Sequence, residues 1–235
     1  MKKLAVIPAR GGSKRIPRKN IKLFFGKPII AYSIKAALES GCFDEVMVST
    51  DDEEIAGIAR EYGANVPFLR SEATANDHAG LGDVVIEVID KFKESDRFYD
   101  YACCILPTAP LLQAEDLQKA FQTLQDGMLK TVFPVVRFEY PILRSLKIES
   151  GRILMNWPEY YTARSQDLAP AYHDCGLFYW INVTAFENEK KFFTDNSGSI
   201  ELPSIRVQDI DTENDWKICE MKYRLLQESA SNKNV

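Results

Sequence analysis

Residues 4–20 decide the fold, and their sequence is LAVIPARGGSKRIPRKN. The stretch opens with Leu4–Ile7, a continuous apolar run of the kind that forms a strand buried on both faces. A polar loop rich in glycine and cations follows it. A helical pattern then begins at Pro28 and stops at Gly41, and Val46–Val48 reads as a second buried strand. This order predicts βα units and a parallel sheet.

The alternation of strands and helices continues along the chain. Helices are predicted at about 53–62, 81–92, 115–124 and 212–227, and strands at about 66–69, 101–106, 131–137 and 176–183. Around Ser150-Gly151 the pattern changes to period two, which predicts a β-hairpin. We therefore expect one α/β domain over residues 1–235, with a doubly wound, mainly parallel sheet and an insert at about 138–175.

Composition limits the classes of partner. The 235 residues carry 29 basic and 34 acidic side chains, a net charge of −5, which argues against general binding to nucleic acid or to anionic membranes. Five scattered cysteines and two histidines lack the spacing of a zinc site. No apolar stretch approaches the length of a membrane span. We expect a soluble protein of the cytoplasm.

The loop after the first strand is the strongest candidate for a binding site. Ligands of open α/β sheets bind beyond the carboxyl ends of strands, where this loop lies. Its backbone N–H groups at Gly11 and Gly12 can turn toward an anion. Five cations follow or flank them: Arg10, Lys14, Arg15, Arg18 and Lys19. The arrangement suits a polyphosphate, although it matches neither GxxxxGK[ST] nor GxGxxG, and a solvated basic loop is the alternative.

A second candidate is the pair of carboxylates in Asp209-Ile210-Asp211. In extended backbone two residues that are two apart share a face, so both carboxylates can bind one divalent cation while Ile210 points into the core. Magnesium typically leaves its other positions to water and substrate phosphates. The alternative is helix capping by Asp211 or Thr212 with Asp215, and the two roles can coexist.

Seven further residues are weaker candidates. They are Arg70, Asp77, Arg164, His173, Asp174, Phe192 and Phe193. Arg70 and Asp77 fit a pocket for a base, although an arginine at a strand end is commonly a surface charge. Arg164 fits a bidentate clamp for a carboxylate, or an aromatic-rich interface around it. The two phenylalanines fit core anchoring, or a wall for an apolar substituent such as an acetyl group.

Several motifs together resemble the CMP-sialic acid synthetases over nearly the whole chain. They are Ile7–Lys14 with Lys19-Asn20, Phe43–Val46 leading to Val48–Asp51, Pro107–Pro110 and Asp209–Thr212. Within this family, Tyr172–Trp180 and Ala102–Ile105 resemble the branch that activates pseudaminic acid, a nonulosonic acid. Leu106 stands where sialic acid synthetases usually have glutamine, so the polar contacts to the sugar must differ there.

The resemblance implies a Rossmann-like fold, a homodimer that exchanges the inserted hairpin region, and Mg²⁺-dependent transfer of CMP from CTP to the anomeric hydroxyl of a nine-carbon α-keto sugar acid. It assigns the nucleotide to Arg10, Gly11, Gly12, Ser13, Lys14, Lys19, Asn20, Arg70 and Asp77. It assigns the sugar to Arg164, His173, Asp174, Tyr179, Phe192 and Phe193, with Arg164 in one version supplied by the partner subunit. It assigns the metal to Asp209 and Asp211, and catalysis to Arg10, Lys19 and Asp211. The general base stays open between Asp211 and a water on the metal.

Three alternatives remain at this point. The acceptor of the same reaction can be N-acetylneuraminate or legionaminate instead of pseudaminic acid. A metal-dependent glycosyltransferase also combines a nucleotide-binding α/β sheet with a DxD motif, although it normally carries that motif mid-chain. A nucleotide-binding module without catalysis is the third. Release of pyrophosphate from CTP that requires both sugar acid and magnesium would distinguish a cytidylyltransferase from a glycosyltransferase and from a binding module.

Overall fold

Residues 1–76 and 78–231 are described by the structure, a computed structural model, and strands alternate with helices along them. The strands are β1 (Lys3–Pro8), β2 (Leu23–Phe24), β3 (Lys27–Pro28), β4 (Glu45–Ser49), β5 (Tyr101–Ile105), β6 (Thr131–Arg137), β7 (Leu146–Glu149), β8 (Arg152–Met155), β9 (Tyr172–Asp174), β10 (Phe178–Asn182) and β11 (Ser197–Glu201). The α-helices are α1 (Ile30–Glu39), α2 (Glu53–Glu61), α3 (Glu72–Ala75), α4 (Leu81–Glu94), α5 (Ala114–Asp126), α6 (Val183–Glu189) and α7 (Glu213–Ser231).

The central sheet is mainly parallel, as predicted. Its strand order is β11-β6-β10-β5-β1-β4. β1 pairs in parallel with β4 and β5, and β11 pairs in parallel with β6. β10 runs antiparallel to both β5 and β6, so those two strands also point the same way. The carboxyl ends of β1, β4, β5 and β6 therefore lie at one edge of the sheet, where ligands of such sheets bind.

Helices cover both faces of this sheet, which confirms the doubly wound α/β class. On one face, α1, α2 and α5 contribute side chains such as Ile34, Ala56 and Leu117 to the core. On the other face, α4 and α6 contribute Val88 and Phe186. Full burial of an apolar side chain of this size stabilises the fold by about 1.5–3 kcal/mol.

A third apolar cluster explains how the two ends of the chain meet. It joins Ile16 of the cationic loop to Phe24 of β2, and it includes Trp216 of α7. Ile210 belongs to the same cluster and is fully buried. Burial of Ile16 and Ile210 side by side therefore fixes the loop after β1 next to the segment that carries Asp209 and Asp211.

Two predicted elements differ in the structure. Residues 66–69 form no strand, and pairing there is limited to a bridge between Met47 and Asn65. Pro67 has no N–H to donate to a ladder, so the pairing cannot continue. The helix predicted to begin at Pro28 begins at Ile30, because Pro28 pairs with Leu23 in the short β2–β3 ladder.

The insert contains the predicted hairpin, but its C-terminal boundary lies a few residues earlier than expected. β7 and β8 pair antiparallel across a turn in which Ser150 and Gly151 both have positive φ, of 50° and 76°. Such a turn matches the right-handed twist of the two strands. At the far end, β9 pairs with the last residues of β6 in the central sheet, so the insert ends before Tyr172 rather than at 175.

Among the helices that the structure describes, none combines the length and the hydropathy that crossing a bilayer requires.

Candidate active site

The glycine turn of the cationic loop is fastened to the strand–helix turn after β4. The N–H of Gly11 donates to Asp51 Oδ1 at 3.0 Å, and the N–H of Ser13 donates to the carbonyl of Gly11 at 3.1 Å. An added Cβ at Gly11 would lie 2.7 Å from Asp52 Oδ2, whereas one at Gly12 would meet nothing within 4 Å. The turn therefore approaches the two acids closely at Gly11.

Arg18 binds the loop to the turn after β4 and does not line the cleft. Its guanidinium donates twice to Asp52, once at 3.1 Å, and it also pairs with Glu54 of α2. Asp52 in turn caps α2 by accepting the N–H of Ile55 at 3.0 Å. The hydrogen bond from Arg18 lowers the pKa of Asp52 and outweighs the opposing effect of burial. One of the five predicted cations thus fixes the loop in place.

The other cations of the loop face a cleft of about 450 Å³ beyond the carboxyl ends of β1 and β5. Its polar lining includes Arg10, Ser13, Lys14, Arg15, Lys19, Asn20, Arg70, Thr74, Asn76 and Thr108. Asn20 is buried and donates to the carbonyl of Arg10 at 2.9 Å, so it holds the loop backbone at the rim. Arg10 donates to the carbonyl of Asn76 at 3.3 Å across the cleft. Gly11 and Gly12 lie in the turn rather than in this lining.

Arg70 is buried in the wall of the cleft rather than exposed as a strand-end charge. Its Nε donates to Ser49 Oγ at 3.1 Å, and a terminal nitrogen donates to the Ser49 carbonyl. Burial lowers the pKa of this guanidinium, while the charges of Asp51 and Glu87 oppose the change. Asp77, predicted beside Arg70, lies outside the described residues.

The cationic loop and the carboxylate pair meet in space. Arg15 pairs with Asp211 at 2.7 Å, and Lys19 lies 3.6 Å from the same carboxylate oxygen. The amine of Lys19 also donates to the carbonyl of Ile210. Segments near the two ends of the chain are thus in direct contact here.

Capping of α7 does not consume the two carboxylates. Asp215 accepts the N–H of Thr212 at 2.8 Å and that of Asp211 at 3.2 Å, and the Thr212 hydroxyl accepts the N–H of Asp215 at 3.2 Å. The cap therefore consists of Thr212 and Asp215. The capping alternative therefore holds for Thr212 with Asp215, and this cap uses the side chain of neither Asp209 nor Asp211.

The carboxylate pair has the chemistry of a divalent-cation site. Partial desolvation of its carboxyl group, followed by the charge of Asp211, raises the pKa of Asp209, against the effect of Lys19. Two partly desolvated carboxylates that repel each other gain from a shared cation. No cluster of three or more histidine, cysteine, aspartate or glutamate side chains is arranged to hold a metal within residues 1–76 and 78–231. A pair of carboxylates suits Mg²⁺, which takes its remaining ligands from water and phosphates.

A second cavity, of about 750 Å³, is lined by Asp211, the residue that contacts Arg15 and Lys19 of the first cleft. Its lining includes His173, Asp174, Gly176, Asp209 and Asp211. Asp174 accepts the hydroxyl of Tyr179 at 2.5 Å and the N–H of Gly176 at 2.9 Å. Burial, with Asp174 adding to it, raises the pKa of Tyr179, so this phenol stays protonated as a donor.

The predicted sugar residues are brought together in part. Tyr179, which donates to Asp174, packs on Phe192 at 4.7 Å between ring centroids, and Phe193 packs on Phe133 at 4.6 Å. The ring of His173 packs on Phe138 at 4.7 Å, with Nδ1 2.9 Å from the carbonyl of Asp174. No described contact makes His173 part of a relay with the Asp174 carboxylate.

Arg164 lies elsewhere in this chain. It pairs with Asp167 inside the insert, at 2.7 and 3.2 Å, and it lines neither cavity. The predicted clamp on a sugar carboxylate is therefore not formed by Arg164 within one subunit. A role for this arginine requires a second copy of the chain to bring it to the site.

The sequence analysis missed the part of Asp51 and Asp52 in the site. Asp52 caps α2, and Asp51 accepts the N–H of Gly11. The signal was available in principle, because the carboxyl ends of β1 and β4 meet at the same sheet edge. An acidic pair at the end of one strand then faces the cationic loop at the end of the next.

Comparisons with known proteins place this site among nucleotide-transferring enzymes. A family model described as cytidylyltransferase matches residues 4–152. The pseudaminic acid cytidylyltransferase of Campylobacter jejuni is 44% identical over 231 residues, which cover 98% of this chain and 100% of that protein. The CMP-N,N'-diacetyllegionaminic acid synthase of Legionella pneumophila is 37% identical, covering 97% of this chain and 99% of that protein. The structure of CMP:2-keto-3-deoxy-manno-octonic acid synthetase complexed with CTP has the same fold, with a TM-score of 0.70 at 20% identity over 97% of this chain and 100% of that chain.

Proposed function

The chain belongs to the cytidylyltransferase family, and on that premise we propose that it transfers CMP from CTP to the anomeric hydroxyl of a nine-carbon α-keto sugar acid. The products are a CMP-sugar and pyrophosphate. Pseudaminic acid is the favoured acceptor, because identity to the pseudaminic acid enzyme, 44%, exceeds the 37% to the legionaminic acid enzyme over nearly equal coverage.

The contact between the cationic loop and the carboxylate pair carries this proposal. Arg15 and Lys19 reach Asp211 from a loop that lines one cavity, and Asp211 itself lines the other. A nucleotide in the first cavity would present its α-phosphate at the junction to an acceptor in the second. Two adjoining cavities that share a charged junction suit transfer between two substrates.

Positioning and neutralisation of charge supply most of the catalysis in such a transfer. The acceptor hydroxyl must lie in line with the α-phosphorus and opposite the leaving pyrophosphate. Arg10, Lys14 and Lys19, which line the nucleotide cleft, are placed to stabilise the negative charge of the leaving group. The buried guanidinium of Arg70, held by Ser49, supplies a rigid wall for the base.

We propose that Asp209 and Asp211 hold Mg²⁺. The repulsion between the two carboxylates, which contributes to raising the pKa of Asp209, supports this assignment. Bound there, Mg²⁺ would supply Lewis-acid stabilisation of charge on the phosphate oxygens. Arg15 and Lys19 hold the Asp211 carboxylate at the junction through their ion pairs with it.

The finer parts of the proposal concern assembly and location. The hairpin of β7 and β8 exposes several large apolar side chains, which supports a homodimer formed through the insert. In that dimer Arg164 would reach the sugar cavity of the partner. All five cysteines are buried free thiols, which supports a reducing, cytoplasmic location.

Pyrophosphate release tests the reaction. We expect CTP with Mg²⁺ and pseudaminic acid to release pyrophosphate, and legionaminic and N-acetylneuraminic acids to react more slowly. Asp211→Ala is expected to lower kcat by at least about 100-fold with little change in Tm, because the Asp211 side chain is 37% exposed.

Glu213→Gln provides the matched control. Glu213 is two residues from Asp211 in sequence, but it pairs with Lys22 and lines neither cavity. It is expected to keep kcat within about two-fold of the native value. Consumption of a sugar nucleotide instead of CTP would favour a glycosyltransferase, and binding of CTP without release of pyrophosphate would favour a binding module. Native-like kcat in Asp211→Ala would reject the role of that carboxylate.

A further inference from the structure

A buried ion pair joins α5 to the segment that carries the carboxylate pair. A terminal nitrogen of Arg206 donates to Asp116 Oδ2, and the two side chains are only 18% and 7% exposed. The same carboxylate of Asp116 accepts the N–H of Gln113 at 3.1 Å in the first turn of α5. Asp116 is thus fixed to the helix, and Arg206 lies three residues before Asp209.

The segment is held from its other side by α7. The amine of Lys222 donates to the carbonyl of Ser204 at 3.0 Å and to that of Val207 at 2.6 Å. Val207 is itself buried, and so is Ile210. The backbone that leads into Asp209 is therefore held by the amine of Lys222, by burial of Val207 and Ile210, and by the ion pair to α5.

Stability alone does not account for this ion pair. A buried ion pair must offset the desolvation of both charges, and apolar residues of similar size often serve as well or better. Here the Nε of Arg206 is buried and has no hydrogen-bond partner among the described residues, which adds a further cost. The ion pair between Arg206 and Asp116 is directional, so in spite of these costs it can fix the position of the segment that carries Arg206.

The helix α5 is a suitable reference for that position. Leu117 and Ala120 of α5 are fully buried in the core on one face of the sheet, next to Cys175 of the β9–β10 connection. Burial, then the charge of Asp174 and then that of Asp116 raise the pKa of Cys175. Asp174 and Gly176, on either side of Cys175, line the second cavity.

We propose that Asp116 and Arg206 are positioning residues for the divalent-cation site, holding the backbone of the 204–211 segment so that Asp209 and Asp211 converge on one cation. The proposal rests on the metal assignment in the proposed function. It makes the affinity for the cation depend on an ion pair that touches neither the cation nor either substrate.

Binding of Mn²⁺ in the presence of CTP, followed by electron paramagnetic resonance, tests this without requiring turnover. Asp116→Asn keeps the size of the side chain and an acceptor for the Gln113 N–H, but it removes the charge that holds Arg206. We expect its Kd for Mn²⁺ to rise about ten-fold, the range seen when groups that orient metal ligands are changed. Arg206→Lys, which keeps the charge, is expected to show a smaller rise in the Kd for Mn²⁺. It also provides the test if Asp116→Asn does not fold.

The matched control is the ion pair between Glu45 and Arg97. Glu45 is buried and lies at the amino end of β4, the opposite edge of the sheet from the site. Glu45→Gln should lower Tm as a buried ion pair is lost, yet leave the Kd for Mn²⁺ within two-fold. Apparent half-saturation by Mg²⁺ in the pyrophosphate assay should follow the same order, with KM for CTP unchanged at saturating metal.

The outcomes separate the two proposals. An equal Kd for Mn²⁺ in native protein, Asp116→Asn and Arg206→Lys would overturn the positioning role, and so would an equal rise in Glu45→Gln. Failure of the native chain to bind Mn²⁺ with CTP would overturn it together with the metal assignment. Binding of Mn²⁺ by the native chain, without pyrophosphate release with any sugar acid, would overturn the proposed reaction while the ten-fold difference in Kd still supported the positioning role.

Discussion

At the scale of single residues, the two glycines of the cationic loop are not equivalent. The sequence predicted the same role for Gly11 and Gly12, as N–H donors toward an anion. In the structure the N–H of Gly11 is bonded to Asp51, and its Cα lies against Asp52. Gly12 has open space around it. Close approach to a carboxylate therefore requires glycine at position 11 alone.

This difference predicts opposite results for two matched substitutions. Gly11→Ala places a methyl group 2.7 Å from Asp52 Oδ2, so the carboxylate that caps α2 and holds Arg18 must move. Overpacking of this kind costs about 1–3 kcal/mol. We expect a lower Tm and weaker binding of CTP by calorimetry for Gly11→Ala, and near-native values for Gly12→Ala. Equal effects of both changes would show that the contact with Asp52 is unimportant.

At the scale of elements, Glu87 of α4 fixes the segment that forms the far wall of the nucleotide cleft. Its carboxylate accepts the N–H of Ser71 at 2.8 Å and the hydroxyl of Thr74 of α3, and it pairs with Lys91 at 2.7 Å. Burial alone would raise the pKa of Glu87, but these three partners lower it to about 2. The wall of the cleft therefore depends on an ionised carboxylate.

The pKa of Glu87 predicts how stability depends on pH. Because the folded pKa is below the unfolded value, the stabilisation is fully present above about pH 4.5 and is lost as pH falls toward about 2. At pH 7 it amounts to about 3 kcal/mol. Glu87→Gln should therefore unfold at a lower urea concentration than the native protein at pH 6, and the difference between the two midpoints should be less than half as large at pH 3.

An exposed ion pair of α1, on the opposite face of the sheet from α4, gives the control for that comparison. Glu39→Gln removes an acid that pairs with Lys35 at 3.6 Å on the exposed surface. Exposed pairs contribute little to stability, so its midpoint should stay near the native one at both pH values. A constant difference between Glu87→Gln and native protein from pH 6 to pH 3 would contradict the depressed pKa.

At the scale of the whole molecule, the insert presents an apolar surface that one chain leaves uncovered. Ile148 and Ile153 face each other across the β7–β8 ladder and are 76% and 66% exposed. Leu146 and Leu154 of the same hairpin are also exposed. Paired apolar side chains on an isolated two-stranded sheet are marginally stable in water, so a covering partner is expected.

This surface predicts that the chain dimerises through the hairpin. Ile148→Lys with Ile153→Lys should convert a dimer to a monomer in analytical ultracentrifugation, because two buried charges would face the partner. Met128→Lys changes another apolar side chain, 85% exposed and remote in sequence from the insert, and should leave the dimer intact. A native protein that sediments as a monomer at micromolar concentration would contradict the prediction.

Much of the sheet and of the site could be predicted from local patterns. Apolar runs such as Leu4–Ile7 marked the strands, and the cations around Gly11 and the acids at Asp209 and Asp211 marked two segments that the fold brings into contact. The strand expected at 66–69 failed because a single proline, Pro67, stops a ladder that the surrounding apolar residues favour. Strand propensity is a property of the whole segment, whereas a β-ladder also requires a hydrogen-bond donor at each paired position, and Pro67 has none.

What the sequence by itself determined was the kind of chemistry: cations after the first strand, a pair of carboxylates before the last helix, and an alternation that makes a doubly wound sheet. The tertiary structure decided which of these groups meet. It placed Arg15 and Lys19 on Asp211, turned Arg18 away to Asp52, left Arg164 with Asp167, and tied Arg206 to Asp116. The physical reason is that ion pairs between distant segments follow from burial of Ile16 beside Ile210 and from the sheet edge shared by β1 and β4, neither of which any local stretch of sequence encodes.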